Sequence, residues 1–425
     1  MLAIIKKQQM INKIILAILF SFPNIIFGQC NSELNEFITG FNNLESSSFH
    51  FLDDKLDSVK IVGYGEDTHG SAAFTLLAKE LMSYLAENHN FNTLIIETGF
   101  GEGLYLNDYI QGKRDDIKTI LKEHNSTWRY RTEEFLQLME WLREYNRKSD
   151  NKISLYGCEM QYVISDVHRI EDYLKKVDSD YKIDGFQKHL WQNIEEYEKS
   201  DFYISYVKLK SYFVQHYEEF VNKTSEKEFN LIYHHIEVLG QFVTTINQSV
   251  YQRKMDFRDI YMSENIEWIL NNENPASKAL YWAHNDHVGD WVANGIVDVA
   301  GHFLRKRYGA SYYNISTDFG TGDFLAYPHN PDEVGSNMRT FSFETIDSST
   351  FTYCIQQNGE PNAFVDLRNA RRNELLKCYL DTPLKIMYGA GSQEWGIQTR
   401  TIDIGRAFDA IIYIDKISVI NFIKY

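Results

Sequence analysis

The chain is poor in the residues that make functional assignment quick. It holds four cysteines in 425 residues, Cys30, Cys158, Cys354 and Cys378, and no two are spaced as CxxC. That excludes a zinc knuckle, a dithiol redox motif and a disulfide scaffold. No GxSxG elbow, P-loop or HExxH pair occurs, which argues against a serine hydrolase of the α/β type, a P-loop NTPase and an HExxH metalloprotease. Gly99-Phe100-Gly101-Glu102-Gly103 mimics part of a dinucleotide loop but lacks the full GxGxxG. Cationic excess is missing too: 43 Lys and Arg face 59 Asp and Glu, for a formal charge of −16. Phosphate backbones are bound by clustered cations, so no nucleic-acid partner is expected. Neutral or cationic small molecules remain open as ligands.

Only one long apolar run exists, Ile14 to Phe27, interrupted by Pro23 and preceded by Lys6, Lys7 and Lys13. It is short for a membrane span and has the basic flank of a secretory leader. The expectation is a signal peptide over 1–29, cleaved near Gly28 to Cys30, and an exported mature chain. Membrane association is expected only through a lipid on Cys30. Cys158 reads as a core or pocket-wall residue.

Proline and glycine divide the remainder. No proline occurs between Pro23 and Pro275, and only Gly240 lies between Gly185 and Gly289. Within that stretch FQKHLWQNIEEY, YISYVKLKSYFVQHYEEFV, FNLIYHHIEVLGQFVTTI and FRDIYMSENIEWIL place apolar residues at three- and four-residue intervals, predicting helices. The reading is an all-helical insertion lobe over 166–274, forming one wall of a deep cleft. Around it, over 30–165 and 275–425, short apolar runs alternate with helical patterns. The runs are Val59–Val62, Thr93–Ile96, Ile153–Tyr156, Ala279–Trp282, Tyr313–Ser316, Leu384–Met387 and Ala410–Tyr413; the helical patterns include Ala72–Glu87, Thr132–Arg147 and Ile296–Arg307. Buried strands alternating with helices predict an α/β core with a largely parallel central sheet flanked by helices.

The chemistry collects where those strands end. The first is followed by Gly65-Glu66-Asp67-Thr68-His69-Gly70, the second by Glu97, the third by Gly157-Cys158-Glu159, the fourth by His284-Asn285-Asp286-His287 and the fifth by Asp318. Ligands of open α/β sheets bind beyond the carboxyl ends of the strands. Five such ends bearing carboxylates or imidazoles therefore point to one shared site. Most of the 13 histidines, His234 and His235 among them, lie in amphipathic or loop settings without partners. His69 differs, with Glu66 three residues before it and glycines on both sides, and His284 and His287 share an HxxH spacing. Imidazole can take a proton from water and return it to a leaving alkoxide, with a carboxylate fixing its tautomer. The same residues also suit a zinc site of three ligands and a water. A scaffold that binds an apolar ligand without catalysis is a third reading, opposed by the intact His and Glu set.

Several strings, taken jointly, resemble the erythromycin esterase family. They are Gly65-Glu66-Asp67-Thr68-His69-Gly70-Ser71, Ile95-Ile96-Glu97, Trp128 with Arg131-Thr132-Glu133-Glu134, and Tyr156-Gly157-Cys158-Glu159-Met160-Gln161. Arg258-Asp259-Ile260-Tyr261-Met262-Ser263-Glu264-Asn265 and Trp282-Ala283-His284-Asn285-Asp286-His287 complete the set, in order from about residue 60 to 325. The resemblance implies hydrolases that open macrolide lactones with histidine-activated water and no serine nucleophile. It implies a small-molecule ester or lactone as substrate and no cofactor or metal ion. Carried over by position, His69 is the general base, surrounded by Glu66, Glu97, His284 and His287. Trp128, Glu159, Arg258 and Asp318 are the expected substrate-binding residues. Ala73 and Ala78 stand where the family usually has a glutamate and a basic residue, and Glu159 where it commonly has aspartate.

Overall fold

The computed structural model describes residues 33–124, 128–186, 194–293, 297–329, 337–394 and 396–425. The expected leader and Cys30 lie outside these residues. The large sheet is built from β1 (Ile38–Gly40), β2 (Ile61–Glu66), β3 (Thr93–Gly99), β4 (Ser154–Glu159) and β5 (Ala279–His284) in the first part of the chain. A small ribbon, β6 (Val292–Ala293) with β7 (Val297–Asp298), precedes β8 (Tyr312–Pro328), β9 (Arg339–Phe343) and β10 (Asn362–Val365). After them come β11 (Leu384–Met387), β12 (Ser392–Gln393), β13 (Thr399–Ile402) and β14 (Ala410–Ile417).

The strand order is β1-β10-β14-β8-β2-β5-β3-β4, with β9 and β12 added along β8. From β14 to β4 every pairing is parallel, and β1 and β10 form an antiparallel edge. Buried parallel strands meet helices on both faces, so both alternating sets of side chains are apolar and the sequence reads as a continuous run. Val62, Tyr64, Leu94, Ile96, Leu280 and Trp282 face one apolar layer, which includes the helices Ala72–His89 and Glu133–Lys148. Ile61, Ile95, Ala279 and Tyr281 face the other, which is continuous with the helices Ile164–Val177, Glu226–Ile246 and Tyr251–Asn272. Two helix starts follow from side-chain caps: Thr132 accepts from Phe135 N at 3.2 Å and Ser225 from Glu228 N at 3.1 Å.

The structure departs from the sequence reading in four places. Asp318 does not follow the end of its strand, because β14 keeps pairing with β8 as far as Gly322 and holds it extended. Leu384–Met387 is a strand, but it pairs with β13 away from the large sheet. The helix expected from Ile296 starts at Ala300, after β7, and Ile296 itself lies outside the described residues. The lobe helix expected from Phe186 starts at Glu196, and most of FQKHLWQ lies outside the described residues.

Candidate active site

Four neighbouring strands deliver their chemistry to one edge. Glu66 ends β2 in register with His284, which ends β5, and Glu159 ends β4. Glu97 lies in β3, within a register shift against β4 between Ile96 and Gly99. Beyond β2 the chain turns through Asp67, Thr68 and His69, and Gly70 passes so near β8 that a Cβ would sit 1.9 Å from Leu325 O. Only glycine fits there.

His69 Nδ1 lies 2.6 Å from Glu66 Oε1, while Trp282 Nε1–H donates to Glu66 Oε2 at 3.0 Å. Glu66 is therefore fixed from two sides and directs His69. The short turn Trp128–Tyr130 brings Arg129 Nη1 to 2.9 and 2.8 Å from the two ring nitrogens of His69 and 3.1 Å from Glu97 Oε2. Burial and the Arg129 charge push the pKa of His69 down to about 4, against the opposing pull of Glu66 and Glu97. This reverses the simple expectation that neighbouring carboxylates raise it. At neutral pH the ring is an unprotonated acceptor.

Glu97 is shared. It accepts from Arg258 Nη2 at 2.7 Å and from the His284 backbone N–H at 2.9 Å. Burial alone would raise its pKa, but Arg129, His287 and Arg258 outweigh that and hold it well below the usual carboxylate range. Arg258, buried on the helix Tyr251–Asn272, also donates from Nε to both Glu159 oxygens at 2.9 and 3.1 Å. Its Nη1 lies 2.7 Å from His287 Nε2, and His287 Nδ1 lies 2.7 Å from Asp259 Oδ1. Arg258 and Glu159 thus hold each other and Glu97.

His284 caps the short helix Asn285–Val288 and stands with its ring centroid 5.2 Å from that of His69. Its Nε2 is 2.9 Å from Asp67 O, and its Nδ1 is 3.4 Å from Asp286 Oδ2. Burial opposes the charged ring, yet Asp286 prevails and lifts the His284 pKa to about 8. Two histidines of one site are thus pushed in opposite directions, His69 toward the neutral ring and His284 toward the charged one.

His69, Glu97, Arg258, His284 and His287 line a cleft of about 1250 Å³. The helix Tyr251–Asn272 forms one wall, through Tyr251, Met255 and Arg258. Residues between Pro383 and Ala407, among them Tyr388, Gly391 and Arg400, line the cleft as well. Gly391 lies so close over His69 that a Cβ would stand 2.7 Å from Cδ2. Trp128 lies edge-on to His69, with ring centroids 6.4 Å apart, and lines a smaller adjoining cavity.

Asp318 is not part of this arrangement. It is buried under Thr352, whose hydroxyl donates to Oδ2 at 2.6 Å, and it does not line the cleft. Cys158 is fully buried, and burial pushes its thiol well up, as befits a core residue. Among the described residues no group of three or more His, Cys, Asp or Glu is arranged to hold a metal ion. The guanidinium groups of Arg129 and Arg258 stand among the carboxylates and ring nitrogens that a zinc set would need.

Sequence reasoning missed Arg129, gave Asp259 no role, and did not see the wall at 383–407. Arg129 lies between two aromatic residues in a stretch without periodicity, which alone reads as a surface cation. Asp259 follows Arg258 directly, and only the helix position shows that it turns toward His287.

A sequence profile of the erythromycin esterase family matches residues 86–417, a span that includes Glu97, Glu159, Arg258, His284 and His287. Glu66 and His69 precede it, so their place rests on the geometry above. Erythromycin esterase type II of Escherichia coli is 24% identical over 405 residues, covering 86% of this chain and 91% of that one. A crystal structure of a Bacillus cereus protein superposes with a TM-score of 0.81 at 23% identity, covering 94% and 99% of the two chains. An erythromycin esterase mutant, EreC in its open conformation, superposes with a TM-score of 0.66 at 18% identity, covering 89% and 98%. With the profile spanning most of its length, the chain belongs to the erythromycin esterase family.

Proposed function

We propose that the protein hydrolyses a carboxylic ester, with a large cyclic lactone of macrolide type as the favoured class, by direct attack of water. One observation carries the reading: the His69–Glu66 pair, 2.6 Å apart, opens on a cleft of about 1250 Å³. Pockets for drug-sized ligands are typically about 300–1,000 Å³, so the space suits a bulky substrate. Glu66 accepts the Nδ1 proton of His69 and leaves Nε2 as the basic atom. Arg129 Nη1, 2.8 Å from Nε2, turns to the carbonyl oxygen as substrate binds and frees that nitrogen, and a water in the cleft gives its proton to Nε2 as its oxygen bonds to the ester carbonyl carbon. Arg129 is the permanent cation nearest the base and stabilises the charge that develops on the carbonyl oxygen. The C–O bond then breaks, and His284, held protonated by Asp286, supplies the proton taken up by the leaving alkoxide. His287 acts through Arg258 and Glu97 rather than on the substrate.

Incubating the purified chain with macrolides and simpler lactones tests this reading. Ring opening adds the mass of one water to a substrate, and a panel without any gain would count against the proposal. The same assay addresses a metal-dependent alternative using these histidines. Direct activation by His69 predicts an unchanged rate after exhaustive chelation, whereas loss of turnover restored by zinc or manganese would favour the metal reading. Export accompanies the proposal. A mature N-terminus near residues 28–30 would support it, and intact cytosolic protein starting at Met1 or Met10 would oppose it.

A further inference from the structure

We propose that the segment 418–425, which runs on from β14, positions the catalytic pair by bonding at once to the loop that carries His69 and the turn that carries Arg129. The inference rests on the roles given to those two residues above. His69 and Arg129 lie on separate pieces of chain, and their contact at 2.8 Å requires both pieces to be set at one spacing. The segment supplies that spacing. Ala72 N–H donates to Ser418 O at 2.9 Å and Ile420 N–H to Gly70 O at 3.2 Å, next to His69. Immediately after Ile420, Glu133 N–H donates to Asn421 O at 2.8 Å and Ile423 N–H to Arg131 O at 3.0 Å, just beyond Arg129. Isolated bridges pair Ser71 with Val419 and Thr132 with Phe422.

Side chains secure the same two ends. Asn421 Nδ2 donates to Glu134 Oε1 at 2.6 Å, and its backbone N–H donates to the same carboxylate. Ile420 and Ile423 are buried. Phe422 lies edge-on to Trp128 at 6.4 Å, and Trp128 lies edge-on to His69 at the same distance. An extended strand rises about 3.3 Å per residue, so the attachments at 420 and 423 are about 10 Å apart. That stretch acts as a ruler between the base and the cation. It also lies beyond the residues matched by the family profile, which end at 417.

The charged and titratable groups facing His69 are Glu66 from β2, Glu97 from β3, His284 from β5 and Arg129 from the turn. Gly391, which covers the ring, and its neighbours Gly389 and Ala390 add none. Of these groups, Arg129 is the one whose turn the segment holds. Loosening the segment lets Arg129 recede and should raise the midpoint at which His69 takes up a proton.

The test uses the full chain, its Asn421→Ala and Phe422→Ala variants, and a form ending at residue 418. His69 is followed by NMR of its Cε1–H resonance, assigned by its disappearance in His69→Gln. The parent should titrate near the value of about 4 set by its surroundings, and the variants should titrate higher, toward the free imidazole value of about 6.5. Where a substrate is in hand, kcat should fall by roughly the 10²-fold expected for a misplacement of about 1 Å, with KM little changed. Folded variants whose His69 titrates as in the parent would overturn the proposal, even if they melt earlier, because a purely structural role lowers stability without moving this resonance. If the shortened form does not fold, the two point variants decide. The NMR readout needs no turnover, so an absence of esterase activity would refute the proposed function while leaving this inference separately testable.

Discussion

Replacing His69 with alanine lowers kcat by about 10²-fold or more, the contribution expected of a positioned acid–base group, while the chain stays folded. The ring lies in a cavity wall and its strongest bonds go to Glu66 and Arg129. Its loss therefore removes chemistry before it removes packing. The pH profile carries the sharper consequence. Burial and Arg129 depress the His69 pKa to about 4, so the base form is complete well below neutrality. The acidic limb of kcat/KM, which follows the free enzyme, should fall near that value, and kcat/KM should be flat around pH 6. A limb near 6.5, the free imidazole value, would show that burial and Arg129 do not depress the ring in solution. The same shift adds a stability term of known sign. A histidine depressed in the fold favours the native state above its unfolded pKa, and that contribution fades as pH falls from about 6.5 toward 4.

The second large effect falls on stability. Arg258→Ala removes the cation that meets Glu97 at 2.7 Å, Glu159 at 2.9 and 3.1 Å and His287 at 2.7 Å, all of them buried. Deleting one partner of a buried ion pair costs about 3–5 kcal/mol, because the other charge is left without compensation. Glu159 is left without its cation while Glu97 keeps Arg129 at 3.1 Å, so the expected loss lies within that range, read as a lower midpoint in denaturant. Arg258→Lys should recover little, since a single ammonium cannot reproduce a planar fork that reaches three side chains. A change within about 0.5 kcal/mol, the ordinary range for surface substitutions, would contradict the hub.

How much of this was legible in the sequence depends on what kind of signal each part leaves. β2, β4 and β5 are short apolar runs ending in glutamate or histidine and β3 carries Glu97 directly after its apolar run, and that abrupt change is why the strand ends and their site residues can be read directly. Asp318 imitates the same pattern. The difference is that β14 extends the ladder past it, a partner that no local window shows. Arg129 and the wall at 383–407 have no periodicity of their own, and their roles arise from contacts with residues far away in the chain, such as Arg129 with His69 and Gly389 N–H with Asp67 at 2.8 Å. The sign of the His69 shift was hidden for the same reason. Glu66 is three residues away and visible, whereas the opposing guanidinium is sixty residues away.

The central claim is that water activated by His69, rather than an enzyme nucleophile, attacks the ester. A single turnover in water enriched in oxygen-18, with enzyme in excess over an ester that the chain hydrolyses, tests it most directly. Direct attack places one heavy oxygen in the product carboxylate on the first turnover, and no acylated protein accumulates. A first-turnover product without the label, or a protein carrying the mass of the acyl group, would contradict it and make a side chain such as Glu66 the attacking group.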